Sequence, residues 1–255
     1  MPSIRGLVVF AVAWLPMSAA FTAQDRPLPE PQAFYATTRD NLARSQREAS
    51  RYAYTERRTE LHTNPFGRLG TGGVVTYAVV PSPDGRSISR RLVERDGQPV
   101  SEPEERQAVR ERRPAQGRRS AVEDAASVLD FTIESRVTLQ GRPAIVVRFT
   151  PKPNARAETR QGSLARQFAG RIWVDEAAQE VVRVEATAID DLTIGFGIIA
   201  KLQKGATALV TRERVDADTW MPTSLRLTGQ GRAMLVRRLT IAHAIEWFDY
   251  RRVSD

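Results

Sequence analysis

His62 and His243 are the only imidazoles among the 255 residues, and there is no cysteine. Thiolates and imidazoles are the usual zinc ligands, and they must come clustered at ligand spacing. Neither histidine has a second one nearby, so both read as ordinary structural or surface residues and no metal site or cofactor is expected. A serine nucleophile on a Gly-x-Ser-x-Gly elbow is also missing. Gln161-Gly162-Ser163-Leu164-Ala165 comes nearest and lacks the second glycine. The glycine-rich stretch Gly67 to Gly73 is followed by a strand pattern with no Lys-Ser/Thr, which reads as a loop rather than a phosphate cradle. Asp190-Asp191 and Glu104-Glu105 are adjacent acids. Neighbours on a strand point to opposite faces, so Asp190 and Asp191 are expected to end a strand in a solvated turn rather than to act as a pair. The residue inventory therefore points away from an enzyme. A hydrolase would require His62 or His243 beside a serine and an acid.

The remaining candidates are apolar. Trp173, Trp220, Trp247 and Phe248 fall on or beside strand patterns in the C-terminal half. Leu192 to Leu202 is an apolar run broken by Gly195 and Gly197. It reads either as packing for a sheet edge or as a flap at the mouth of a cavity. On the second reading Trp173, Phe196, Ile198, Ile199 and Trp247 contribute an apolar lining.

Residues 1–20 have the layout of a secretory signal peptide: a short basic head with Arg5, an apolar run from Gly6 to Leu15, Pro16, and small residues Ser18 and Ala20 before the expected cleavage site. The apolar run is shorter than the roughly 20 residues a spanning helix needs. The reading is an exported, periplasmic protein, held by its core without disulfides and without a lipidated cysteine. The formal charge is +8, carried almost wholly by arginine, since Lys152, Lys201 and Lys204 are the only lysines. Basic and acidic residues are interspersed and export separates the chain from nucleic acid, so no nucleic-acid partner is expected. The densest basic cluster is Arg106, Arg110, Arg112, Arg113, Arg118 and Arg119. It is the candidate contact with an anionic membrane surface, at about 1 kcal/mol or less per residue.

Residues 21–31 form an extended, proline-rich lead-in, and 32–255 read as one domain. A helix begins at Pro31 and runs to about Ser50, with Phe34, Thr38 and Leu42 on one stripe. From Arg51 the pattern turns to period two: Tyr52, Tyr54, Glu56 and Arg58 alternate with Ala53, Thr55 and Arg57. Further strands are expected at Val74–Val80 and Arg90–Arg95, with Asp96-Gly97 as a tight turn. A helical insertion covers about 101–129, with capping boxes at Ser101 and Ser120. Strands follow at Phe131–Leu139, Arg142–Thr150, Phe168–Asp175, Val181–Ile189, Thr207–Val215, Thr223–Thr228 and Met234–Asp249, with Gly229-Gln230-Gly231 as a hairpin turn. Pro151 to Gln161 reads as a loop. About ten strands joined by short turns give an α+β fold dominated by an antiparallel meander.

Gly170-Arg-Ile-Trp173-Val-Asp175, followed by Glu180-Val-Val-Arg-Val-Glu185, resembles the exported LolA/LolB-like lipoprotein carrier superfamily. The order of signal peptide, N-terminal helix and long meander is also similar. The resemblance implies a curved half-barrel with helices covering its concave side and an apolar cavity that holds acyl chains, with a lipid or lipidated protein as partner. Lacking a lipidated cysteine, the chain looks like the soluble carrier type. Relatives on this fold include envelope-stress sensors, which leaves a protein-interaction module as the alternative.

Overall fold

The computed structural model describes residues 26–63, 69–82, 84, 87–101, 109–112, 120–195, 199–233 and 237–253. The expected signal peptide, Phe196, Ile198, and Arg106, Arg113, Arg118 and Arg119 lie outside them. Helix α1 spans Pro31–Glu48 with proline in its first turn. Its N-cap is Glu30, whose carboxylate accepts from the backbone N–H groups of Gln32 and Ala33 at 3.0 and 2.7 Å. These two bonds to the charged form hold the Glu30 carboxyl below its ordinary pKa. The expected stripe meets the sheet: Phe34 is buried, and Tyr35 and Leu42 pack with it against Ile145, Val147, Val174 and Val181.

Among the described residues, fourteen strands form a single antiparallel sheet. They are β1 (Tyr52–Thr63), β2 (Leu69–Pro81), β3 (Ser87–Arg95), β4 (Gln98–Pro99), β5 (Val109–Arg112), β6 (Leu129–Leu139), β7 (Arg142–Pro151), β8 (Phe168–Asp175), β9 (Glu180–Ala188), β10 (Leu192–Gly195), β11 (Ile199–Leu202), β12 (Thr207–Arg214), β13 (Trp220–Ala233) and β14 (Arg237–Arg252). The main path runs β4-β3-β2-β1-β14-β13-β12-β9-β8-β7-β6. Among the described residues the sheet does not close: β4 and β6 stand at the two ends of its main path. The C-terminal strand β14 inserts between β1 and β13, so the last strand joins the first four to the rest. Asp96-Gly97 and Gln140-Gly141 both have positive φ at each residue (50° and 79°, 50° and 77°). That is the twist two-residue hairpin turns require.

Among the described residues, two short helices complete the core. Helix α2 (Ala121–Ser127) starts at the expected capping box of Ser120 and Glu123. Helix α3 (Arg160–Ala165) occupies the end of what the sequence suggests is a loop. Asp124 on α2 is fully buried. It accepts from the Glu158 N–H and from both the N–H and hydroxyl of Thr159, the last two at 2.7 and 2.6 Å. Thr159 in turn caps α3. Gly162 faces Asp124 so closely that a Cβ there would lie 2.1 Å from the carboxylate.

Four sequence expectations are corrected. Gly229-Gln230-Gly231 is not a turn: it lies within β13, paired to Ile241, Thr240 and Leu239, and the hairpin reverses beyond Ala233. Gly231 also pairs Leu202 of β11 on its other side, so the glycines serve a strand with neighbours on both edges. Val109–Arg112 is not the end of a helix but an edge strand on β3, where the ladder outweighs helix propensity. Leu69 to Gly73 of the glycine-rich stretch extends β2, with Gly73 at φ 68° beside a register shift against β1. Finally, the meander is interrupted at two places: β14 pairs β1, and the β10–β11 hairpin stands off the main path between β9 and β12, while the other neighbours on that path are consecutive strands.

Candidate functional site

The cross-strand register defines one row of side chains on the face that carries α1. It runs Val147, Ile172, Val184, Val210, Leu225, Ile245, Arg58 and Val75, each directly opposite the next. The first three belong to the core around Phe34. Val210 and Leu225 are only half-buried. With strands about 4.8 Å apart, Val184 to Arg58 spans about 19 Å. The row is apolar over six strands and then meets a guanidinium.

That guanidinium belongs to a built cluster. Glu56, two residues before Arg58 and therefore on the same face, is 3% exposed. Arg58 Nε donates to its Oε1 at 2.6 Å, and Trp247 Nε1 donates to its Oε2 at 3.0 Å. Arg90 from β3 donates from Nη2 at 3.4 Å, with its Nε 3.1 Å from Oε1. The two guanidiniums sit over the Tyr77 ring, their carbons 5.5 and 5.9 Å from its centroid. A carboxylate this buried is tolerated because fixed cations and donors replace its water. Its effect is to hold two guanidiniums on an aromatic seat.

Beyond Trp247 the same face continues through Tyr54 and Tyr250, whose rings are 5.4 Å apart. The Tyr250 hydroxyl donates to the Pro222 carbonyl at 2.6 Å. Burial, with the negative charges of Tyr54 and Glu56 adding and Arg212 opposing, pushes the Tyr250 phenol far above its ordinary value. A raised folded pKa means the unfolded chain releases this proton first. Stability is therefore full below pH 10 and falls as pH rises past the unfolded phenol's pKa of about 10. Absorbance titration should show Tyr250 still protonated while exposed phenols ionise, and Tyr250→Phe should flatten the alkaline loss of Tm.

A second ion pair pins α1. Glu180 accepts from Ser45 of α1 at 2.9 Å and from Arg212 Nη1 at 3.1 Å. Arg212 also donates to the carbonyls of Val181 and Trp220. Burial lowers the pKa of the Arg212 guanidinium, and Glu180 opposes that.

Of the expected lining residues, the described tryptophans Trp173 and Trp247 lie on opposite faces of the sheet. Trp247 lies on the helix-bearing face, where its indole serves Glu56. Trp173 alternates with Ile172 and so lies on the opposite face, beneath the Arg183 guanidinium at 5.3 Å. Ile199 begins β11, opposite Gly195 in the β10–β11 hairpin, which stands between β9 and β12 in the chain and pairs onto β13. Arg110 lies on edge strand β5, opposite Ser89. Ser163 is exposed within α3, not on an elbow. Asp190 and Asp191 are exposed after β9, where Asp191 accepts from the Lys204 N–H at 2.9 Å. Among the described residues no three His, Cys, Asp or Glu side chains could hold a metal ion, and no helix is long and apolar enough to cross a membrane. A hollow of about 590 Å³ opens on the face away from the helices. Arg148, Arg171, Arg226, Glu185 and a set of threonines wall it. Its floor is thin at Gly170, where a Cβ would lie 1.9 Å from the Glu185 carbonyl oxygen.

No family model and no curated protein matches the chain. Solved structures do. A DUF1329 family protein from Desulfovibrio piger matches at 15% identity over 86% of this chain and 92% of that one, with a TM-score of 0.38. A putative outer membrane lipoprotein-sorting protein domain from Vibrio parahaemolyticus matches at 11% identity over 85% and 92%, also with a TM-score of 0.38. A LolA superfamily protein from Nitrosomonas europaea matches at 11% identity over 86% and 94%, with a TM-score of 0.36. LolA-like proteins are thus among the structures this chain is similar to.

Proposed function

We propose that this is a non-catalytic periplasmic binding protein that takes an acyl chain, as a lipid or a lipidated protein, on the helix-bearing face. In this reading the open sheet is a half-barrel, that face is its concave side and the helices cover it. The observation that carries the proposal is the row from Ile172 to Ile245, whose Val210 and Leu225 stay half-buried beyond the part that α1 packs. A guest laid along it would gain about 0.8 kcal/mol per buried methylene, with no need for polar contacts. Phe196, from the apolar run that the sequence offers as a flap, is included among the expected contacts.

The test is displacement of a fluorescent fatty acid from the purified mature protein. Saturable binding is expected, with a loss of about tenfold or more in Phe196→Asp and in Leu225→Trp, which fills the row without adding charge. No saturable binding would contradict the proposal. A protein-interaction module is the second reading, favoured by the arginine- and threonine-walled hollow on the other face. It predicts that Arg148→Glu with Arg226→Glu abolishes capture of an envelope protein while fatty-acid binding is untouched.

A further inference from the structure

We infer that the guest is an amphiphile with an oxyanion headgroup, and that Arg58 is the residue that receives the headgroup. The inference rests on the proposed acyl-binding row and names what lies at its end. Three features support it. Arg58 sits directly opposite Ile245, so the apolar row leads to its guanidinium with no intervening residue. Its Nε is committed to Glu56, and the guanidinium is seated over Tyr77, which fixes its plane. Among the described residues its two Nη groups have no hydrogen-bond acceptor, and the side chain keeps 26% of its exposure, so a guest can reach them.

The chemistry follows from the arrangement. A guanidinium is planar and its terminal N–H groups match the two oxygens of a phosphate or carboxylate. Held in place by a buried carboxylate and an aromatic ring, it loses little side-chain freedom on binding. Arg90 adds positive potential from the other side of Glu56. Glu56 itself is closed to the guest: its oxygens already accept from Arg58 and from the Trp247 indole, and it is too buried to meet a cation. A neutral headgroup would leave the Arg58 fork desolvated and unpaired.

Isothermal titration with three probes tests this: dodecyl phosphate, dodecyl maltoside and inorganic phosphate, each below its micelle concentration where it has one. Dodecyl phosphate should bind at least about tenfold more tightly than dodecyl maltoside, the scale of one or two charge-assisted hydrogen bonds. Arg58→Gln should bring the two within about twofold by weakening dodecyl phosphate alone, and added salt should reduce the parent's preference. Should Arg58→Gln not fold, Arg58→Lys decides: lysine keeps a charge beside Glu56 and loses the fork, and the preference must drop. Equal binding of the two detergents, or a preference that survives both variants, overturns the inference and leaves acyl binding standing. Inorganic phosphate binding as tightly as dodecyl phosphate overturns the assignment to an amphiphile. Binding by neither detergent overturns the acyl-binding proposal as well.

Discussion

Gly170→Val is expected to prevent the native sheet from forming. An added Cβ would sit 1.9 Å from the Glu185 carbonyl oxygen and 2.9 Å from Ala186 Cα. Both are backbone atoms of the paired strand, so neither can rotate away. To admit the side chain, β8 and β9 must part where Gly170 pairs Ala186. That opens the ladder beside Ile172 and Val184, which pack against the core of α1. Overpacking with flexible neighbours costs about 1–3 kcal/mol. Backbone displacement in a central strand exceeds that, and a domain with about 5–15 kcal/mol in hand has little margin. The variant should be insoluble or melt at least about 10 °C below the parent, with the β-sheet circular dichroism reduced. A melting temperature within about 2 °C of the parent would show that the pinch is absent in solution.

The second large effect concerns the pair that holds α1. Arg212→Leu leaves the carboxylate of Glu180, 1% exposed, with Ser45 as its remaining close donor and the more distant Arg44 at 3.8 Å. Breaking a buried pair from one side costs about 3–5 kcal/mol, because the partner's charge stays behind unpaired. Glu180→Gln strands the Arg212 charge in the same way. The double variant removes both charges and should recover part of the loss, a coupling of at least about 1 kcal/mol. Denaturant melts of the four proteins supply the cycle, and additive losses would contradict the assignment. Ser45 lies on α1, so the single variants should also expose Phe34. Hydrogen exchange across residues 31–48 reads that directly.

Local pattern revealed the local elements. α1 was legible from Pro31 and the Phe34–Leu42 stripe, α2 from the capping box at Ser120, and β6 to β9 from their alternation. Non-local pairing was not legible. Nothing within β13 says that β11 and β14 flank Gly231, so the glycines there imitate a turn. The edge strand at Val109–Arg112 exists only because β3 offers it a partner. The site divides in the same way. Alternation put Glu56 and Arg58 on one face with Tyr52 and Tyr54, a usable hint that this face ends in charge. Tyr77, Arg90 and Trp247 reach that cluster from three other strands, and their meeting depends on register that no short window contains. Trp173 was grouped with Trp247 by residue type, although alternation with Ile172 places it on the other face.

The most direct test of the central claim, that this protein carries an apolar guest on its helix-bearing face, is native mass spectrometry of the mature protein purified from the envelope without detergent. The account predicts a bound species of lipid mass that is released on collisional activation and diminished in Leu225→Trp. A single peak at the bare chain mass, unchanged after incubation with dodecyl phosphate or a fatty acid, would contradict it.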